Sequence, residues 1–168
     1  FRLFTDSLKG TSDWILESSG DGIPVAELAS IREALEGTPA DLFPVIEVAV
    51  FPLDDALTEG LKNPSTIRLL GLDLVQMRSL VADGTGEAME DFWTILDNPR
   101  HLLISKPLAQ SLQLEKGSAL EASIGGRWET FEISGILPEF RGKTPLPKTL
   151  AVTDLPALLN ILDRDRVD

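Results

Sequence analysis

The sequence predicts an α+β fold in which both chain ends belong to one lobe and the middle of the chain is rich in strands. Three observations carry that expectation. A helical pattern near the start lies between strand-like runs, a strand-like run near the end leads into a helix, and a hairpin signal sits between them at Gly125 and Gly126.

Taken in order, "SDWILES" (Ser12 to Ser18) alternates Trp14 and Leu16 with Asp13 and Glu17, and "SSGDG" closes it, so a short strand is expected. From Pro24 the apolar residues Val25, Leu28, Ile31 and Leu35 recur at helical spacing, and Gly37 and Pro39 supply the stop. Phe43 to Leu53 is rich in β-branched residues and bounded by prolines, which predicts a mostly buried strand. "DDALTEGLKNPS" reads as turn and loop, and Thr66 to Leu74 as a strand that carries the chain into a second lobe. A short helix is expected over Leu74 to Val81. In "EAMEDFWTIL" the spacing places Met89, Phe92, Trp93 and Leu96 on one inward helical stripe.

"HLLIS" is a strand signal, and Ser105 can cap the helix that follows, with Pro107 tolerated in its first turn. A two-residue Gly-Gly loop then fixes a register: Ile124 faces Arg127, Ala122 faces Glu129 and Leu120 faces Phe131. Leu120, Ala122, Ile124, Phe131 and Ile133 therefore share one face. The other face carries Glu121, Ser123, Thr130 and Glu132, polar except for Trp128. "LPEFRGKTPLPKT" is a proline-bearing loop and, with Arg141, Lys143 and Lys148, a basic stretch in an acidic chain. "LAVTDLPALLNIL" closes as strand then helix, with Asp154 at the N-cap and Leu155, Leu158, Leu159 and Leu162 turned inward.

At 168 residues the chain fits one ordinary domain or two small lobes sharing a core. Its formal charge of -12 repels phosphate backbones, so no nucleic-acid partner is expected. The absence of cysteine removes disulfides and thiolate chemistry. No apolar run approaches the roughly 20 residues of a membrane helix. There is no initiator Met and no signal-peptide pattern at Phe1 to Leu8, so the chain reads as a segment of a longer protein.

Little in the sequence points to catalysis. His101 is the single histidine, and it opens an apolar strand. Ser105 and Lys106 are adjacent at a helix start, where neighbouring side chains diverge, so Ser105 reads as an N-cap rather than a nucleophile. The acidic pairs lack the spacing of a calcium loop, one histidine and no cysteine argue against a transition metal, and no phosphate-binding glycine motif is present. No catalytic residue, cofactor or metal is expected.

The run Ser105, Leu108, Ala109, Leu112, Leu114, Gly117, Leu120, Gly126, Phe131, Ile133, Gly135, Ile136 and Leu137 resembles the extracytoplasmic (periplasmic core) domain of MacB and FtsX type ABC transporter permeases. In that family a strand ending in Ser, a short "LA" helix, a Gly turn and a hairpin ending in a Gly-Ile/Val-Leu step recur in this order. "KGTSDW", "PVIEV" and "LLGLDL" are similar to further segments of it, so the likeness spans about Gly10 to Leu162.

The resemblance implies a porter-like lobe from residues 10–65 and 149–168, with a Sabre-like, strand-rich lobe, residues 66–148, inserted between. It implies a non-catalytic domain at the extracytoplasmic face, tethered by flanking membrane helices. ATP hydrolysis would belong to a cytoplasmic ABC ATPase, and the domain would move or gate a substrate outside the membrane. A second permease copy or homologue and a periplasmic partner or substrate are the implied associates. Candidate contacts are Trp128 and the basic residues Arg141, Lys143 and Lys148. Two other readings stay open: a free-standing module for lipid or peptide, which needs an apolar pocket between lobes, and a hydrolase built on His101 and Ser105, which needs the two side chains to converge.

Overall fold

The computed structural model describes residues 16, 18, 20–53, 66–76, 93–96, 98–137 and 147–168. The element order is β1 (Ile23–Pro24), a 3-10 turn (Val25–Glu27), α1 (Leu28–Ala34), β2 (Val45–Pro52), β3 (Ile67–Leu72), β4 (His101–Ser105), α2 (Lys106–Leu112), β5 (Ala119–Ile124), β6 (Arg127–Leu137), β7 (Leu150–Asp154), α3 (Leu155–Leu162) and β8 (Arg166–Val167). The strand expected over Ser12 to Ser18 lies outside the described residues except for Leu16 and Ser18, as does the loop from residue 54 to 65.

Six strands close into a barrel in the order β2-β3-β7-β4-β6-β5, with β5 returning to β2. Two of the pairings are parallel, β3 with β7 and β4 with β6; the other four are antiparallel. Replacing β2, β3 and β4 by β5, β6 and β7 reproduces every pairing and its sense, so the barrel has an internal two-fold relation between chain halves. The local chemistry repeats as well. β4 and β7 each end at an extended N-cap, Ser105 and Asp154, followed by a helix with proline in its first turn and a left-handed residue at its end, Gln113 or Asp163. Strands from 10–65 and 149–168 (β2 and β7) and from 66–148 (β3 to β6) share this one barrel wall.

The barrel wall separates two cores. Ile46, Val50, Ile67, Leu69, Leu102, Ile104, Leu120, Ala122, Ile124, Phe131, Ile133 and Ala151 belong to one, joined by Leu28 of α1, Leu108 and Ala109 of α2, and Leu155 and Leu158 of α3. Each fully buried Leu, Ile or Phe contributes about 1.5–3 kcal/mol, less the entropy of ordering it. Residues of the opposite strand parity, Val45, Leu70, Leu72, Leu103, Leu150 and Val152, form the other core with Leu74 and Ile95. Two-sided burial is why β3 and β7 are almost continuously apolar.

The hairpin follows the expected register residue for residue, Ile124 opposite Arg127, Ala122 opposite Glu129 and Leu120 opposite Phe131. Gly125 and Gly126 both have positive φ, which the tight turn requires. One feature of β6 breaks simple alternation. Leu102 pairs with Ile133 but Leu103 pairs with Gly135, leaving Ser134 as a bulge. The extra residue reverses the strand's faces, so that Ile136 packs against the first core and Leu137 enters the second.

The expected stripe of Met89, Phe92, Trp93 and Leu96 needs correction. Met89 and Phe92 lie outside the described residues. Residues 93–96 are helical; Ile95 is the fully buried side chain and Leu96, half-buried, packs against the second core as expected, whereas Trp93 is 41% exposed. Two residues on a helix differ by about 200°, so a face containing Ile95 turns Trp93 away. Of the helix expected from Leu74 to Val81, residues 74–76 are helical and the remainder falls outside the described residues.

After α3 the chain passes through β8, which pairs with β1, Val167 opposite Ile23 and Arg166 opposite Pro24. The Asp168 N–H donates to the Val45 carbonyl (2.9 Å), and the Glu47 N–H donates to Asp168 Oδ2 (2.6 Å), so this segment is fastened to the start of β2.

Candidate functional site

The residues that could have carried catalysis are occupied structurally. The Ser105 side chain is fully buried, and its Oγ accepts a hydrogen bond from the Leu108 N–H (3.4 Å), the N-cap role its sequence position predicted. At the other end of the same strand, His101 Nδ1 lies 2.9 Å from the Thr94 carbonyl oxygen, to which it must donate, since a carbonyl only accepts. Its Nε2 is 3.6 Å from Glu132 Oε2. His101 thus pins the helical segment bearing Ile95 against β4. Four residue steps of extended strand lead from it to Ser105, about 13 Å, so no serine–histidine pair forms.

Where β4 meets β7 only Leu103 with Val152 and Ile104 with Ala151 are in register, and the Thr153 hydroxyl donates to the His101 carbonyl (3.0 Å), extending that short seam. Asp154 heads α3 without capping it; its Oδ1 instead lies 3.5 Å from the Leu74 N–H. Burial pushes the Asp154 carboxyl above its ordinary range and the Asp73 carboxylate adds to the rise, while the Leu74 and Leu155 N–H groups oppose it. Among the described residues no three His, Cys, Asp or Glu side chains group to hold a metal ion.

Trp128 is the most conspicuous candidate. It stands on the outer face of β6 opposite Ser123 and is 63% exposed. Barrel closure adds what the linear pattern did not show. Phe51 of β2 pairs with the same Ser123 from the other side, so two large rings flank one small hydroxyl residue across three strands. Leu53, whose N–H donates to the Glu121 carbonyl, extends the same face. Phe51 is 51% exposed and Leu53 44%, although both fall in a run expected to be mostly buried. The available signal was alternation: Val50 points inward, so Phe51 must point out.

Glu121 and Glu132 complete this face. Two nearby cations are paired with carboxylates, Arg68 with Glu47 at 2.8 Å and Arg100 with Glu129 at 3.0 Å; Arg127 keeps its charge, donates to the Ile161 carbonyl at 2.8 Å and sits on the other strand parity, opposite Ile124. Of the basic candidates, Arg141 and Lys143 lie outside the described residues. Lys148 is exposed just before β7, and β4 stands between β7 and β6 in the barrel, so it does not share the Trp128 face. An open depression of about 410 Å³ at the end of α3 is lined by Leu159, Asn160, Asp163, Arg164 and Asp165. It is mainly polar, unlike an apolar ligand pocket.

No family model matches the chain, and no curated protein matches it. Among solved structures it is similar to a domain of a Porphyromonas gingivalis protein described as a candidate permease, with 12% identity and a TM-score of 0.44. The match covers 94% of this chain and spans 62% of the other, under two thirds of its length. Among the described residues no helix is long and apolar enough to cross a membrane, which says nothing of strands.

Proposed function

We propose that the chain is a non-catalytic extracytoplasmic domain of an ABC transporter permease of the MacB and FtsX type. It couples ATP hydrolysis by a cytoplasmic ATPase to the movement or gating of a substrate outside the membrane. The supporting observation is the unit from Ser105 to Leu137. The residues that carry the sequence resemblance are those that make its N-cap, its buried helix face, its Gly turn and its inward hairpin face.

In this reading residues 10–65 and 149–168 correspond to a porter-like lobe and 66–148 to a Sabre-like insertion. The shared barrel then makes the two one mechanical unit, so displacement arriving through either flank reaches the hairpin. The domain works beside a second permease copy or homologue, and Trp128, Arg141, Lys143 and Lys148 are the residues offered for contacts with it or with an extracytoplasmic partner.

The test is the complete coding region. Apolar runs of about 20 residues on both sides of the chain fit the proposal. Polar flanks with their own start and stop contradict it and favour a free-standing lipid or peptide module.

A further inference from the structure

The outer face of β2, β5 and β6 has no covering element among the described residues, in contrast to the face of β3, β7 and β4, where Leu74 and Ile95 seal a second core. On it Phe51 and Trp128 stand on either side of Ser123 and Leu53 follows along β2. Three large apolar side chains grouped on one face exceed the scattered exposure normal for a surface. Tryptophan, with tyrosine and arginine, is enriched among interaction hot spots.

The charges around the rings select the occupant. Among the described residues Glu121 forms no ion pair and Glu132 only a 3.6 Å approach to His101 Nε2, while Arg68 and Arg100 are paired with carboxylates and Arg127, opposite Ile124 on the other strand parity, donates to the Ile161 carbonyl. The face therefore offers two carboxylates beside aromatic rings with no arginine or lysine paired to them among the described residues, within a chain of formal charge -12. Carboxylates attract guanidinium and ammonium groups, and the face of an indole binds the same cations. Anionic lipid headgroups and nucleic acids carry the wrong sign.

We infer that the Phe51, Ser123, Trp128 face, rimmed by Glu121 and Glu132, docks an Arg- or Lys-bearing amphipathic segment of a partner protein. The apolar side of that segment covers Leu53 and the rings, and its cations meet the two carboxylates. This deepens the transport reading by naming the chemistry of the extracytoplasmic partner, and rests on it for where the partner is found. The two fail separately, since polar flanks would remove the permease assignment without altering the face.

The probe is a synthetic helical peptide with Arg and Lys on one side and Leu on the other, titrated into the full chain and followed by amide and indole NMR shifts. Its control carries Glu in place of the cations. Shifts centred on Phe51, Ser123 and Trp128 are expected, weakening as salt is raised. Trp128→Ala is expected to weaken binding about tenfold, equal to about 1.4 kcal/mol, with the melting temperature unchanged. Glu121→Gln with Glu132→Gln should weaken it severalfold and flatten the salt dependence. Shifts spread over the acidic surface with unchanged affinity in Trp128→Ala overturn the inference, as does equal binding of the Glu control. Concentration-dependent Trp128 shifts without peptide reassign the face to a second copy, and Trp128 burial by anionic vesicles reassigns it to a membrane; either result also overturns it.

Discussion

Gly71 lies in the middle of the barrel wall, where α3 approaches β3. A Cβ built there would sit 2.8 Å from Leu158 Cδ2 and 3.1 Å from Leu158 Cβ, with the Leu155 Cα at 3.5 Å. Carbon atoms prefer about 3.5–4.0 Å, and Leu158 is fully buried, so its side chain has no solvent to retreat into. Overpacking of this kind costs about 1–3 kcal/mol. Removing a flexible glycine from a strand returns roughly 0.5–1 kcal/mol. Gly71→Ala should therefore lose about 1–2 kcal/mol, a fall of about 2–8 °C in Tm for a chain of this length. Thermal and urea unfolding of Gly71→Ala, Leu158→Ala and the double variant supply the assay. Leu158→Ala alone should cost about 2–5 kcal/mol; in the Gly71→Ala background the new methyl fills part of the space, so the double variant should be better than additive by at least about 0.5 kcal/mol. A neutral Gly71→Ala, or strict additivity, would refute the packing of α3 on β3.

Ser105→Ala removes a buried N-cap and should cost about 1 kcal/mol, read as a lower Tm; a loss of any hydrolytic activity would instead revive the catalytic reading. For Asp154 the native carboxyl titrates above the unfolded one. The native state then holds the proton longer, so stability falls as pH rises from the ordinary carboxylate range through the raised native value, and the loss is complete above it. Asp154→Asn lacks this titration, so its Tm relative to the parent should rise between pH 4 and pH 7; a parallel shift at both pH values contradicts the sign. Because one barrel takes strands from both proposed lobes, near- and far-ultraviolet dichroism should report a single coincident unfolding transition, whereas two resolved transitions would mark independently folding lobes.

What could be read from the sequence was local. The Gly125–Gly126 turn fixes its own register, Ser105 and Pro107 announce a helix start, and Trp128 stands out because its face is otherwise polar. Barrel closure was hidden, because the pairs of β3 with β7 and β2 with β5 join residues far apart in the chain with no local signature. The bulge at Ser134 was hidden for a related reason: "FEISGIL" alternates well enough to read straight through. The Trp93 stripe failed because an amphipathic pattern over a few turns tolerates rotation, and burial of Ile95 depends on the outer core it meets. The candidate face was half legible. Trp128 could be found alone, while Phe51 joins it only through the β2–β5 seam.

In the proposed reading this domain lies outside the membrane as part of a permease. The chain contains no cysteine, so one placed at exposed Gln110 on α2 is a clean reporter within its residues. With cysteines elsewhere in the complete protein replaced, Gln110→Cys is expressed in cells, spheroplasts are prepared, and a membrane-impermeant maleimide is added. Full labelling without lysis is expected; labelling that appears only after lysis would contradict that placement.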